Sequence, residues 1–397
     1  MIKILKNKIQ KIFKFFGFQI TKNLKIHKLY IKNVFKTKYK KKVLISYITK
    51  PFTTKFDYTH TNSIECFSAA EIFKNLGYNV DVVDYNFNKK INYYEYDIIY
   101  GMGHVLEESF YQIEHSGPIR IFYATGCSTF YSDIVTTLKV REFFKRHKRF
   151  LLKSARIIRH NQVAQTLLAD AVIVLGNEFV VATYKKYDPD NDRYFRLDAF
   201  SLNTYDINLE KKDFSKAKKN FLWFGSGGLL HKGLDLLLDI FSQRDDIYLH
   251  ICGDLSKEKG FYEYYKDVIK NSPNIFYHGF VNIKSNLFKN IMDTCGFIVF
   301  PSVSEGGSPS LLITMANGGL VPITTKASGL DVENLGWVIK RVDIDEFEEA
   351  INQATNLDEY ILGERAKKIK TYIRKKYSLV NYKRNLKKII KEILKNN

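Results

Sequence analysis

Long apolar runs are missing from this 397-residue sequence. None approaches the ~20 residues needed to cross a bilayer, and lysines interrupt every apolar stretch near the start, so no secretory signal core forms. The chain is therefore expected on the cytoplasmic side of the membrane. Cysteine is scarce: Cys66, Cys127, Cys252 and Cys295 lie far apart with no C-x-x-C spacing, which excludes a zinc knuckle or dithiol redox motif and fits a reducing compartment. Acidic residues are absent from the first 42 positions, which hold fourteen lysines and no arginine. Of the net charge of +20, that stretch carries +14 and the remaining 355 residues carry +6. The basicity thus belongs to an arm, not to the body. With no recognised nucleic-acid-binding pattern beside it, nucleic acid is not expected as a partner.

What is present is the composition of a globular protein, 45% hydrophobic and 26% charged, in a chain long enough for two domains plus appendages. In the arm, Ile2, Leu5, Ile9, Ile12, Phe13 and Phe16 recur at helical spacing among lysines. Such a helix is expected to lie on an anionic membrane surface, where each basic residue contributes about 1 kcal/mol. A solvated basic leader is the alternative.

From position 43 short apolar runs alternate with helical segments. Strands are expected at 43–48, 79–84, 97–100, 119–124 and 171–175, with a helix at 62–76 closing a βαβ unit before Gly77. A polar stretch at 209–220 reads as a linker. A second series follows at 221–225, 247–253, 275–281, 297–302 and 320–325, with helices starting near Lys232, Phe261, Lys284 and Pro309. The fold class expected is α/β: two doubly wound, Rossmann-like parallel-sheet domains facing across a cleft. The expected organisation is an arm at 1–42, an N-terminal domain at 43–208, the linker, a C-terminal domain at 221–376, and a helix at 377–397 that follows Ser378 and packs back on the N-terminal domain.

Two strand–loop–helix segments carry the chemistry. From Phe300 a strand enters a loop holding Glu305, Gly306 and Gly307, then a helix with Ser308 as N-cap and Pro309 at N1, followed by Ser310 and Leu311. Glycines let a ligand approach the backbone, and the free amides at a helix start suit a phosphate. The second segment is Phe224-Gly-Ser-Gly-Gly-Leu-Leu-His-Lys-Gly-Leu-Asp, a strand, a turn at Gly225, Ser226, Gly227 and Gly228, and then Lys232. Both lie where ligands bind in open α/β sheets.

The first segment resembles the donor-binding signature of group 1 (family four) glycosyltransferases: Pro301, Ser302, Glu305, Gly306, Met315, Ala316, Gly318 and Val321-Pro322-Ile323 match. The resemblance implies a two-domain GT-B fold whose C-terminal domain binds a nucleoside-diphosphate sugar. It further implies sugar transfer with retention of configuration and without a bound metal, and no D-x-D pair stands in a suitable loop. Glu305 takes the position that contacts the donor sugar. The family's second glutamate, which grips the ribose, is replaced by Ile313. Lys232 matches the phosphate lysine, while Gly227 stands where the partner arginine is usual; the amides of 226–228 are expected to supply the rest as a nest. Gly253, Phe280 and Val281 follow neighbouring strands and are expected to line the same pocket.

On the acceptor side, His60, Asn62, Thr125 and Gly126 follow strands of the N-terminal domain. Relatives carry a histidine near Thr125; its absence makes His104 the substitute expected beside Glu305 and Lys232. The run Arg141–Arg149, extended by Lys153, Arg156 and Arg159, reads as one basic face, either for a diphosphate-lipid or anionic-glycan acceptor or simply solvated. The expected activity is transfer to a lipid-linked or polysaccharide acceptor in bacterial surface-glycan synthesis. A sugar-nucleotide epimerase, a degenerate binding protein and a scaffold anchored by the arm are the other readings.

Overall fold

The computed structural model describes residues 18–20, 26–53, 60–113, 117–158, 162–188 and 190–396. Two sheets dominate it. The N-terminal sheet contains β3 (Tyr30–Ile31), β4 (Lys41–Tyr47), β5 (Tyr78–Asp84), β6 (Ile98–Gly101), β7 (Ile119–Ala124), β8 (Ala171–Leu175) and β9 (Tyr194–Leu197). Its strand order is β3-β5-β4-β6-β7-β8-β9, parallel throughout except for the antiparallel edge strand β3. Val43, Leu44 and Ile45 are fully buried in sequence, as are Val172, Ile173 and Val174, because helices cover both faces of a parallel sheet.

The C-terminal sheet contains β10 (Asn220–Phe224), β11 (Tyr248–Cys252), β12 (Ile275–Gly279), β13 (Phe297–Phe300), β14 (Val321–Thr325) and β15 (Trp337–Ile339) in the order β12-β11-β10-β13-β14-β15, all parallel. The strand order reverses between β10 and β13. Their carboxyl ends therefore open the crevice where doubly wound sheets bind ligands. The last helix, Leu379–Asn396, returns to the N-terminal domain: the Tyr382 hydroxyl lies 3.0 Å from that of Tyr123, and Lys383 pairs with Glu71 at 2.9 Å. The Ser378 hydroxyl accepts from the Asn381 amide at its start.

Three expectations about organisation change. Residues 29–42 are part of the N-terminal domain and not of an arm: Leu29 is buried, and the Tyr30 hydroxyl donates to Asp81 at 3.1 Å. The strands β1 (Phe18–Ile20) and β2 (Ile26–Lys28) form an antiparallel pair, and the amphipathic pattern from Ile2 to Phe16 lies outside the described residues. The stretch 209–220 is built into the C-terminal domain. Buried Lys212 donates to the carbonyls of Met292, Cys295 and Gly318, at 2.7, 2.7 and 3.2 Å, and burial pushes its ammonium down to about 8. The edge strands β9 and β15 were not expected, because neither carries a long enough apolar run to announce itself.

Candidate active site

Buried Trp223 at the end of β10 fixes the glycine-rich turn. Its indole N–H donates to the Lys232 carbonyl at 3.2 Å, across the loop, so Lys232 is aimed toward the neighbouring strand β13. On that side the loop after β13 is tied down by backbone and hydroxyl bonds: Val303 N–H to the His231 carbonyl at 3.1 Å, Glu305 N–H to the Ala327 carbonyl at 2.8 Å, and the Thr325 hydroxyl to the Ser302 carbonyl at 2.6 Å. Glu305 is consequently held with its carboxylate against Lys232, in an ion pair where both side chains are almost fully enclosed.

The same carboxylate oxygen faces two further groups. Arg156, from the N-terminal domain, lies at 3.5 Å and His231 Nε2 at 3.6 Å. Burial is the largest single influence on Glu305 and opposes its ionisation, but Lys232, Arg156 and His231 outweigh it and hold the carboxyl down at about 2. Burial lowers Lys232 from its ordinary range, offset in part by Glu305. His231 is pressed down to about 3, chiefly by burial, so its imidazole is neutral at physiological pH. Nε2 sits 2.5 Å from the Ser304 carbonyl, which assigns the proton to that nitrogen and leaves Nδ1 to accept from the Thr136 hydroxyl at 3.2 Å.

The N-terminal domain closes over this cluster. A Cβ on Gly306 would overlap the Thr125 carbonyl, so glycine is what allows the two domains to meet here. Between them is a cavity of about 70 Å³, lined among others by Met102, Thr125, Gly126, Arg156, Glu305 and Gly306. A second, larger groove of about 670 Å³ lies on the outer side of the same segment, lined by Arg149–Ala155, Ile157 and Gly260.

The family model for glycosyl transferases group 1 matches residues 206–376, the part of the chain that carries this cluster. The C-terminal domain belongs to that family. No curated protein sequence matches the chain. Among solved structures, it is similar to a sucrose-phosphate synthase from Thermosynechococcus elongatus (13% identity, 89% of this chain and 99% of the other, TM-score 0.63). Similar too are Anabaena HepE solved with UDP and glucose (12%, 89% and 100%, 0.57) and a glycosyltransferase from Rickettsia africae (15%, 90% and 100%, 0.57). At such identities the likeness concerns the fold, two Rossmann-like domains in the GT-B arrangement.

The glycosyltransferase brings together some of the residues expected from sequence and separates others. Glu305, Gly306, Thr125 and Gly126 line the cavity, and Lys232 pairs with Glu305 without lining it. His104 does not line it: it starts the helix His104–Gln112 and faces Glu108 at 3.9 Å. The histidine at the cluster is His231, written in the same motif as Lys232 but overlooked because it precedes the lysine on a buried turn. His60 is exposed, with Nδ1 accepting from the Asn62 amide at 3.2 Å, and Asn62 begins the helix Asn62–Asn75; neither lines the cavity. Ser308 precedes the helix Pro309–Gly318, but its hydroxyl donates to the Ser328 carbonyl at 2.7 Å instead of capping the helix. Ser310 is half-buried at the helix start, Leu311 is fully buried, and Gly307 packs against Ala199. Gly225 and Gly253 stack at the strand ends, their amides donating to the Cys252 and Gly279 carbonyls. Phe280 is exposed at the rim, whereas Val281 belongs to the core, and Ile313 is buried in the core. Ser226 is exposed and Gly227 half-buried, and the amides of Gly228 and Leu229 are engaged by Glu258.

The basic run is not one face. Arg146 and His147 turn to Asp235 and Asp239 of the C-terminal domain, Arg149 and Lys153 line the outer groove, and Arg156 reaches Glu305. Arg159 lies outside the described residues.

Proposed function

We propose that this glycosyltransferase moves a sugar from a nucleoside-diphosphate sugar to a lipid-linked or polysaccharide acceptor, with retention and without a metal, in bacterial surface-glycan synthesis. The observation that carries the donor side is the convergence of Lys232, Arg156 and Glu305 where β10 and β13 end. Two cations offset the charge that develops on a departing diphosphate, and Glu305 orients the sugar hydroxyls. Arg156 stands in for the arginine whose usual position is Gly227. In this reading the second cation comes from the opposite domain, so the phosphate site is complete only when the cleft closes. That HepE has been solved with UDP and glucose supports a nucleotide-sugar donor.

The acceptor reading is supported by the outer groove. Phe150, Leu152 and Ile157 are exposed along it beside Arg149 and Lys153, an apolar floor with a basic rim. Arg156 and Ile158, on the same segment, line the inner cavity, so one segment serves both the groove and the cavity. A phosphate-bearing lipid carrier fits both chemistries. The basic start of the chain supports a peripheral position at an anionic membrane, and among the described residues no helix is long and apolar enough to cross one. The test is a transfer assay with a panel of nucleoside-diphosphate sugars and lipid-phosphate acceptors. Transfer that needs an acceptor supports the reading, and sugar interconversion without one would replace it with an epimerase.

A further inference from the structure

The glycine-rich turn already holds an anion. Glu258, which immediately precedes the helix Lys259–Asn271, places Oε1 2.5 Å from the Gly228 amide and 3.1 Å from the Leu229 amide. Gly228 adopts a left-handed conformation, φ +85°, and the two successive N–H groups converge on one oxygen, the geometry of an anion nest. The other oxygen, Oε2, is buried and has no hydrogen-bond partner among the described residues. Burial raises the carboxyl above its ordinary range, while the two amides and Lys232 work in the opposite direction. A carboxylate placed only to brace the turn would turn its second oxygen to solvent or to a donor. This one keeps it enclosed, within reach of the charge on Lys232, while the Arg156 side chain packs on Gly228 itself.

We infer that Glu258 is an internal stand-in for the donor's diphosphate, which takes the Gly228 and Leu229 amides only by displacing it. The inference rests on the donor reading above and adds to it the residue that sets donor affinity. A diphosphate brings more charge and more acceptor oxygens than a carboxylate to the same two amides and two cations, so the exchange favours the ligand. Breaking the two existing bonds, however, subtracts from every binding event. The site thereby discriminates against singly charged anions, which gain too little to expel Glu258.

Calorimetric titration of the full chain with inorganic pyrophosphate and with UDP tests this in wild type, Glu258→Gln and Glu258→Ala, each checked for an unchanged melting temperature. Both probes are expected to bind about tenfold more tightly to Glu258→Ala, the scale of one charge-assisted hydrogen bond no longer broken on binding, with a smaller gain for Glu258→Gln. Equal or weaker binding in the variants overturns the exchange, since a brace for the turn gives that result. Should Glu258→Ala fail to fold, Glu258→Gln decides by the same criterion. Lys232→Ala separates the two readings: it weakens pyrophosphate binding if the turn is the phosphate site, whatever Glu258 does. Absence of binding by either probe to all four proteins overturns the donor reading and this inference together.

Discussion

Glu305 keeps a negative charge in an enclosed place because the cations Lys232 and Arg156 lie against it. Its folded value, about 2, lies below the ordinary 4.5, so the stability it contributes is fully present above pH 4.5 and is lost as pH falls from there through 2. Glu305→Gln removes that contribution and leaves Lys232 enclosed without its counter-charge. Wild type is therefore expected to melt higher than the variant at neutral pH, with the difference shrinking between pH 4.5 and 2; a difference independent of pH would show that the carboxylate is not ionised in the fold. For catalysis, Lys232→Ala is expected to reduce transfer about 10²-fold, in the range of a lost transition-state charge contact. Arg156 is about half exposed, and Arg156→Ala is expected to cost roughly tenfold, mostly restored by Arg156→Lys. Steady-state kinetics with the identified donor measure both, and full turnover in Lys232→Ala would remove the proposed role.

The helix Thr129–His147 belongs to the N-terminal domain yet carries the charges that bind the other. Arg146 pairs with both Asp235 and Asp239 on the helix Leu234–Phe241, His147 lies 2.9 Å from Asp239, and the Tyr265 hydroxyl donates to Asp239 at 2.8 Å. Lys139 is fully enclosed 3.7 Å from Asp235 but makes no hydrogen bond among the described residues, and burial lowers its ammonium below the ordinary range. Arg146 and Lys139 therefore differ in sign of effect. Arg146→Ala takes the shared guanidinium from two enclosed carboxylates and is expected to lower stability by about 3 kcal/mol. Lys139→Met retains the packing of the stem and removes a poorly solvated charge, so it is expected to be neutral or stabilising by ~1 kcal/mol. Chemical denaturation of both variants checks the pair, and a large loss in Lys139→Met would contradict the account.

At the scale of the whole molecule, the space enclosed between the domains beside Glu305 is small. The cavity of about 70 Å³ beside Glu305 falls well short of the ~300–1,000 Å³ of ordinary ligand sites, so a donor sugar seated there would require the domains to part. Small-angle scattering of the ligand-free protein is expected to show a form more extended than the closed structure, with nucleotide shifting the population toward the compact one. Scattering fitted by the closed form alone, with and without a bound nucleotide, would mean that the donor enters without domain movement. The last helix ties the two domains together, since it follows the C-terminal domain and buries Tyr382, Leu386, Ile390 and Ile393 on the N-terminal one.

The amino-acid sequence by itself determined the two α/β domains, the glycine-rich turn and the Glu305 loop, because each is a contiguous strand–loop–helix whose burial pattern is local. Lys232 and Glu305 were legible for that reason. Only the tertiary structure decided that Arg156 completes the cation pair, that His231 and not His104 stands at the centre, that Glu258 fills the turn, and that the basic run splits among three destinations. Each of these is a pairing of charges or polar atoms distant in sequence. Its strength depends on separation in space and on loss of water, and neither quantity is written in the spacing of residues along the chain. The edge strands β9 and β15 escaped notice on the same ground, since strand pairing at a sheet margin is settled by neighbours that the chain reaches only after it has folded.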